Sequence, residues 1–159
     1  MCPRCHWWIP GSDKPYERKT QAPKIHLVDS GMVAYLCGLT EERLAEEPPM
    51  LGHLLEGFVF AELRKQATWS ELDVSLFHLR AAAGREVDFV LEDRQGRLIG
   101  IEVKASATVN KKDFAGLEAL SEMVGDRLVR GVILYRGDEV ITFGEKYSTL
   151  PISSLWRTS

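Results

Sequence analysis

Apolar residues recur at three- and four-residue steps through Leu51, Leu54, Leu55 and Phe58, with Glu62 next on the same stripe. That period predicts a helix over Leu51–Gln66. Val59, Phe60 and Leu63 widen the apolar surface, so the helix should be buried over most of its girth. Glu56 falls on the Gly52, Val59, Phe60 and Leu63 side, where an unpaired carboxylate is costly. Beyond this helix the pattern shortens. Val74–Leu79, the alternating run Glu86–Glu92, and Leu98–Lys104 read as three strands. Helical spacing returns over Asp113–Val124, with Phe114, Leu117, Leu120 and Val124 inward and Asn110 or Asp113 at the cap. Leu128–Tyr135 is continuously apolar and suits a strand buried on both faces. Glu139–Phe143 is predicted to fold back on it through Arg136-Gly137-Asp138, and Leu150–Trp156 to dock as a terminal segment.

Before the long helix, Lys24–Val28 suits a short strand, and Asp29 or Ser30 offers a cap for a helix over Gly31–Leu36, closed by Cys37-Gly38. Glu41–Glu47 is an acidic helical piece that Pro48-Pro49 should stop. Residues 1–23 are punctuated by proline and lack an apolar period, so they read as an irregular arm in front of a domain over residues 24–159. The order of helix, three strands, helix, then one or two strands predicts a mixed α/β fold with a central sheet flanked by helices.

Composition narrows the classes. Of the 159 residues, 45% are hydrophobic and 27% charged, which excludes wholesale disorder and fibrous repeats. No apolar run approaches the roughly 20 residues of a membrane span, so no membrane partner is expected. The first residues do not form a secretory signal, so a cytoplasmic protein is expected. A net charge of −3 means that contact with nucleic acid would have to be local rather than spread over the surface. Cys2, Cys5 and Cys37 make no disulfide framework. Cys2-Pro3-Arg4-Cys5-His6 is half a zinc site at most, since His26, Cys37, His53 and His78 are scattered.

The chemistry concentrates on two strands. Acid-x-Lys occurs twice, and Glu17-Arg18-Lys19 lies in the arm and is set aside. In Glu102-Val103-Lys104 alternation puts Glu102 and Lys104 on one face, and Ile99, Ile101 and Val103 on the other. On the preceding strand Val87, Phe89 and Leu91 should form the apolar face, with Glu86, Asp88 and Glu92 opposite. A three-residue loop, Arg94-Gln95-Gly96, with Gly96 left-handed sets residue 93 against 97. Asp88 then faces Glu102, and Glu86 faces Lys104. A two-residue loop would shift the register and split the acids between faces. Facing carboxylates repel, and a divalent cation removes that objection. Asp88, Glu102 and a main-chain carbonyl such as that of Val103 are hard oxygen ligands suited to Mg²⁺, which keeps several waters. One such water is a candidate nucleophile toward a phosphodiester, and Lys104 is placed to orient it or hold developing charge.

With a helix acid, a strand Asp and Glu-x-Lys on the next strand, the chain resembles the PD-(D/E)XK, restriction-endonuclease-like superfamily. Four stretches, PKIHLVDSGMVAYLCGL, LGHLLEGFVFAELRKQ, GREVDFVLEDRQGRLIGIEVKAS and LPISSLW, also look like the C-terminal domain of unknown function of bacterial and archaeal AAA-type ATPases. Together they span most of residues 23–156. The resemblance implies a restriction-endonuclease-like core and a Mg²⁺-dependent phosphodiesterase site, with Mn²⁺ as a substitute. In it Asp88 and Glu102 are metal ligands, Lys104 is the catalytic lysine, and Glu56 is the helix acid. It implies nucleic acid as partner, DNA before RNA. Read from the residues themselves, Lys111 and Lys112, with Arg80 and Arg85, are candidate phosphate contacts near the site. The resemblance also implies an ATPase module as a partner. This chain contains no GxxxxGK[ST] phosphate loop, so ATP hydrolysis is not expected of it. The competing expectation is a non-catalytic interaction or regulatory module left without its ATPase.

Overall fold

The computed structural model of the protein describes residues 26–27, 29–80 and 85–156. The arm over residues 1–23, with its Cys-His cluster and Trp7-Trp8, lies outside the described residues, as does most of the predicted strand Lys24–Val28. His26 and Leu27 belong to no regular element.

The chain runs through α1 (Ser30–Leu36), α2 (Glu41–Glu46), α3 (Pro48–Trp69), β1 (Val74–Arg80), β2 (Glu86–Asp93), β3 (Leu98–Lys104), a 3₁₀ turn (Lys111–Phe114) leading into α4 (Ala115–Val124), then β4 (Leu128–Tyr135), β5 (Ile141–Phe143) and β6 (Tyr147–Pro151). Asp29 caps α1, its Oδ1 accepting the Met32 N–H at 2.8 Å. Thr40 caps α2. Pro48 and Pro49 open α3 rather than merely ending α2, because a proline at the first helical position loses no intrahelical hydrogen bond. The long helix therefore starts three residues earlier than its apolar period and ends three later. Asn110 caps the 3₁₀ turn before α4 in a reciprocal box: its side chain accepts the Lys112 N–H, and Asp113 accepts the Asn110 N–H.

The six strands form one mixed sheet in the order β1-β2-β3-β4-β6-β5. β1, β2 and β3 are antiparallel neighbours, β3, β4 and β6 are parallel, and β5 runs antiparallel on the edge beyond β6. Here the sequence expectation is corrected. The strand within Glu139–Phe143 hairpins with β6, not with β4, and β6 itself occupies part of the segment expected to dock as a tail. The turn is made at Gly144, whose φ of +65° suits glycine.

Helices cover both faces. α4 lies over Val87, Val90, Leu98, Leu128 and Ile133 through Leu117 and Leu120. α3 lies over Leu76, Phe89, Ile101, Val132 and Leu134 through Val59, Phe60 and Leu63. Contact is close on the α4 side, where a side chain at Gly100 would meet Leu117 Cδ2 at 2.7 Å. The final turn, Ile152–Leu155, closes against α3. The Gln66 amide donates to the Leu155 carbonyl at 2.6 Å, Trp156 Nε1–H donates to Glu62 at 3.0 Å, and the Trp156 ring lies 5.3 Å from that of Phe58. Lys65 and, more weakly, Trp156 hold the Glu62 carboxyl below its ordinary range against the opposing effect of burial.

β2 carries one extra residue against β1. The register runs Phe77↔Val90 and then Leu79↔Val87, so Asp88 and Phe89 together stand opposite His78. This bulge overturns the expectation of one apolar face on β2. Phe89 and Leu91 face α3, whereas Val87 and Val90 both face α4.

Candidate metal and phosphodiester site

The site sits where β2 and β3 run side by side away from their hairpin. The hairpin loop is the three-residue one, with Asp93 N–H bonded to the Arg97 carbonyl at 3.1 Å and Gly96 at a φ of +76°. The pairs Glu92↔Leu98, Leu91↔Ile99, Val90↔Gly100 and Phe89↔Ile101 carry the expected register, which sets Asp88 against Glu102. Asp88 is buried, and its Oδ2 accepts the Val103 N–H at 2.8 Å. The acidic side chain is thus anchored across the strand pair by the backbone of the Glu-x-Lys tripeptide itself.

Glu102 Oε1 meets Lys104 Nζ at 3.2 Å. Its Oε2 is buried and accepts no hydrogen bond from the described residues. Burial, and then the negative charge of Asp88, push the Glu102 carboxyl up to about 7, against the pull of Lys104. Lys104 also lies 3.9 Å from Asp113 Oδ1, so the lysine bridges an acid on β3 and the capping acid before α4. Asp113 was legible only as a cap candidate; its second role at Lys104 depends on the β3–α4 connection returning over the strand end.

Glu56 is buried on α3, with Oε1 3.7 Å from His26 Nε2. The His26 ring stacks on Phe60 at 4.6 Å. Leu63, Gln66 and Ser70 line a groove with Leu91, Ile99 and Asp93, so the C-terminal half of α3 lies over the hairpin end of the sheet. Glu56 lies two turns earlier on the same helix, beside His26. Glu86 departs from the expectation. It does not project toward Lys104 as register alone required, but pairs with β1, 3.2 Å from His78 Nε2 and 3.8 Å from Arg80 Nε. The bulge between Glu86 and Phe89 is the physical reason. Lys111 and Lys112 are exposed on the turn before α4, and Arg85 lies 3.8 Å from Glu122.

Among the described residues no group of three or more His, Cys, Asp and Glu side chains is arranged to hold a metal. The candidate set is a two-carboxylate one. Its chemistry fits Mg²⁺, which takes one or two carboxylates and keeps its waters. The orphaned Glu102 oxygen and the mutual repulsion of Glu102 and Asp88 are what a cation would relieve.

A stability test follows from the Glu102 shift. With a folded-state value near 7 against 4.5 in the unfolded chain, Glu102 favours the folded state fully below pH 4.5. That contribution is lost as pH rises to 7 and amounts to about 3 kcal/mol. Glu102→Gln, which cannot ionise, should therefore be more stable than wild type at pH 8 in metal-free buffer, and the difference should close by pH 5. Urea unfolding at the two pH values measures it, and a pH-independent difference would contradict the assignment.

No helix among the described residues is long and apolar enough to cross a membrane. No solved structure matches the chain. Two curated relatives, an uncharacterized protein of Mycobacterium bovis and one of Mycobacterium tuberculosis, are each 26% identical over 142 residues, covering 89% of this chain. The chain spans 30% of the length of each. A family model matches residues 51–155, the stretch from α3 to the last 3₁₀ turn that holds Glu56, Asp88, Glu102 and Lys104. By that match the chain belongs to the family described as a domain of unknown function, DUF4143.

Proposed function

We propose that this chain is a cytoplasmic domain with a restriction-endonuclease-like core that binds Mg²⁺ and nucleic acid, DNA before RNA, and cleaves phosphodiester bonds. The observation that carries the reading is the convergence of Asp88 and Glu102 on adjacent strands, with a buried Glu102 oxygen lacking a partner and Lys104 beside it. Asp88, Glu102 and the Val103 carbonyl would hold the cation, with Glu56 as an outer ligand. When bound, Mg²⁺ supplies charge stabilisation on a phosphate and lowers the pKa of water. Lys104, tethered between Glu102 and Asp113, presents its ammonium group to the attacking water or the developing negative charge. Lys111, Lys112 and Arg85 would contact flanking phosphates, a local contribution that falls with salt.

A second reading, an interaction or regulatory module serving an AAA-type ATPase, draws on the exposed apolar residues Met32, Tyr35 and Leu36 of α1 and Leu27 before it. The greater length of the relatives suits it as well.

The deciding experiment is a cleavage assay on single-stranded DNA, duplex DNA and RNA with Mg²⁺ or Mn²⁺, beside calorimetric titration with each metal. Metal binding with cutting of DNA supports the nuclease. Metal binding without cutting on any substrate removes the catalytic part, and no binding removes the site.

A further inference from the structure

We infer that His78 is a positioning residue for Asp88, acting through the bulge of β2. Its purpose rests on the cation site proposed above, but its geometry does not.

A bulge interrupts the ladder and leaves main-chain groups in need of another partner. Here that partner is a side chain of the opposing strand. His78 Nδ1 stands 3.2 Å from the Asp88 carbonyl oxygen. A carbonyl only accepts, so this is an Nδ1–H donation. On its other side the ring lies with Nε2 3.2 Å from Glu86 Oε1. The imidazole thus spans the two residues flanking Val87, the residue the bulge turns toward α4. The ring is mostly buried, and Arg80 holds the far side of Glu86 at 3.8 Å.

Asp88 is consequently gripped from two strands. β1 holds its carbonyl through His78, and β3 holds its carboxylate through the Val103 N–H at 2.8 Å. In a regular ladder the main chain would set the direction of this residue. In a bulge the residue can rotate about its own backbone, and the His78 bond opposes that rotation. Groups of this kind, which orient a ligand without touching the metal, commonly change metal affinity by about 10- to 100-fold.

The test compares His78→Leu with His78→Asn, whose amide can still donate to the Asp88 carbonyl. Two readouts are used: hydrogen exchange of the Val103 amide relative to that of Ile133, and Mn²⁺ affinity by titration. H78L should exchange Val103 about tenfold faster and bind Mn²⁺ about tenfold more weakly, while H78N stays near wild type in both. A folded H78L with unchanged Val103 exchange overturns the inference, whatever its melting temperature. Wild-type protein that binds no Mn²⁺ overturns the cation reading instead, and Val103 exchange still decides the role of His78. If H78L does not fold, His78→Gln takes its place, because the longer amide reaches toward Glu86. Faster Val103 exchange in H78Q than in H78N supports the inference, and equal exchange overturns it.

Discussion

Asp88→Asn is expected to lower metal-dependent DNA cleavage at least about a thousandfold while leaving the domain folded. The loss corresponds to about 4 kcal/mol of transition-state stabilisation. The fold should survive because an asparagine oxygen can still accept the Val103 N–H that Asp88 Oδ2 accepts at 2.8 Å. The other half of the amide then offers a donor where a cation needs an anionic oxygen, so the ligand set fails by charge and by direction. Lys104→Met, which keeps the aliphatic stem, should lose about a hundredfold or more. It also removes the cation that opposes the upward shift of Glu102, so its stability at pH 8 should fall below that of wild type. Gel assays at saturating Mg²⁺, with circular dichroism on each variant, measure both effects. Cutting by folded D88N at the wild-type rate would remove Asp88 from the mechanism.

Gly116→Ala should be among the most destabilising single-methyl additions in the domain, at about 3 kcal/mol. On an exposed helix the same change stabilises by about 1 kcal/mol through propensity alone. Here α4 approaches β2 so closely that a Cβ on Gly116 would stand 2.2 Å from the Glu86 carbonyl oxygen and 3.3 Å from its carbon. The obstacle is backbone and cannot swing aside like a side chain. It also lies two residues from Asp88, next to the bulge. Relief would require α4 to lift from Val87 or β2 to move toward β1. A melting temperature about 10 °C lower is expected, read by thermal unfolding, with a loss of Mn²⁺ affinity beyond what the stability change explains. An alanine variant as stable as wild type would mean that this contact is looser than described.

Much of this arrangement is legible in the residues. The three-and-four spacing from Leu51 to Phe58 reports α3, and the run from Leu128 to Tyr135 reports a strand covered on both faces. A left-handed Gly96 suits the three-residue loop, and with it the register that sets Asp88 against Glu102, and the structure has that loop rather than the two-residue Gln95-Gly96 alternative. What stays hidden is what depends on distant strands. The bulge at Asp88 and Phe89 leaves no local mark, since Glu86–Glu92 alternates well and nothing in it reports that Val87 will turn to α4. The partners of Glu86 and the position of His78 were unreadable for the same reason. β6 was missed because Tyr147–Pro151 is short and ends in proline, so it reads as a tail. Its strand character comes from a place between β4 and β5 that only tertiary pairing supplies.

The closure of the last turn on α3 has a consequence for synthesis of the protein. Trp156 reaches Glu62 across 94 positions of chain, and Leu155 reaches Gln66 across 89. A ribosome adding about 5–20 residues per second leaves that side of α3 uncovered for roughly 5–20 s after the helix is made. The second parallel partner of β4 arrives in the same late interval, because β6 precedes that turn directly. Nascent chains should therefore display the Phe58 face of α3 to chaperones until Leu155 and Trp156 emerge, and the sheet closes on its β6 side last.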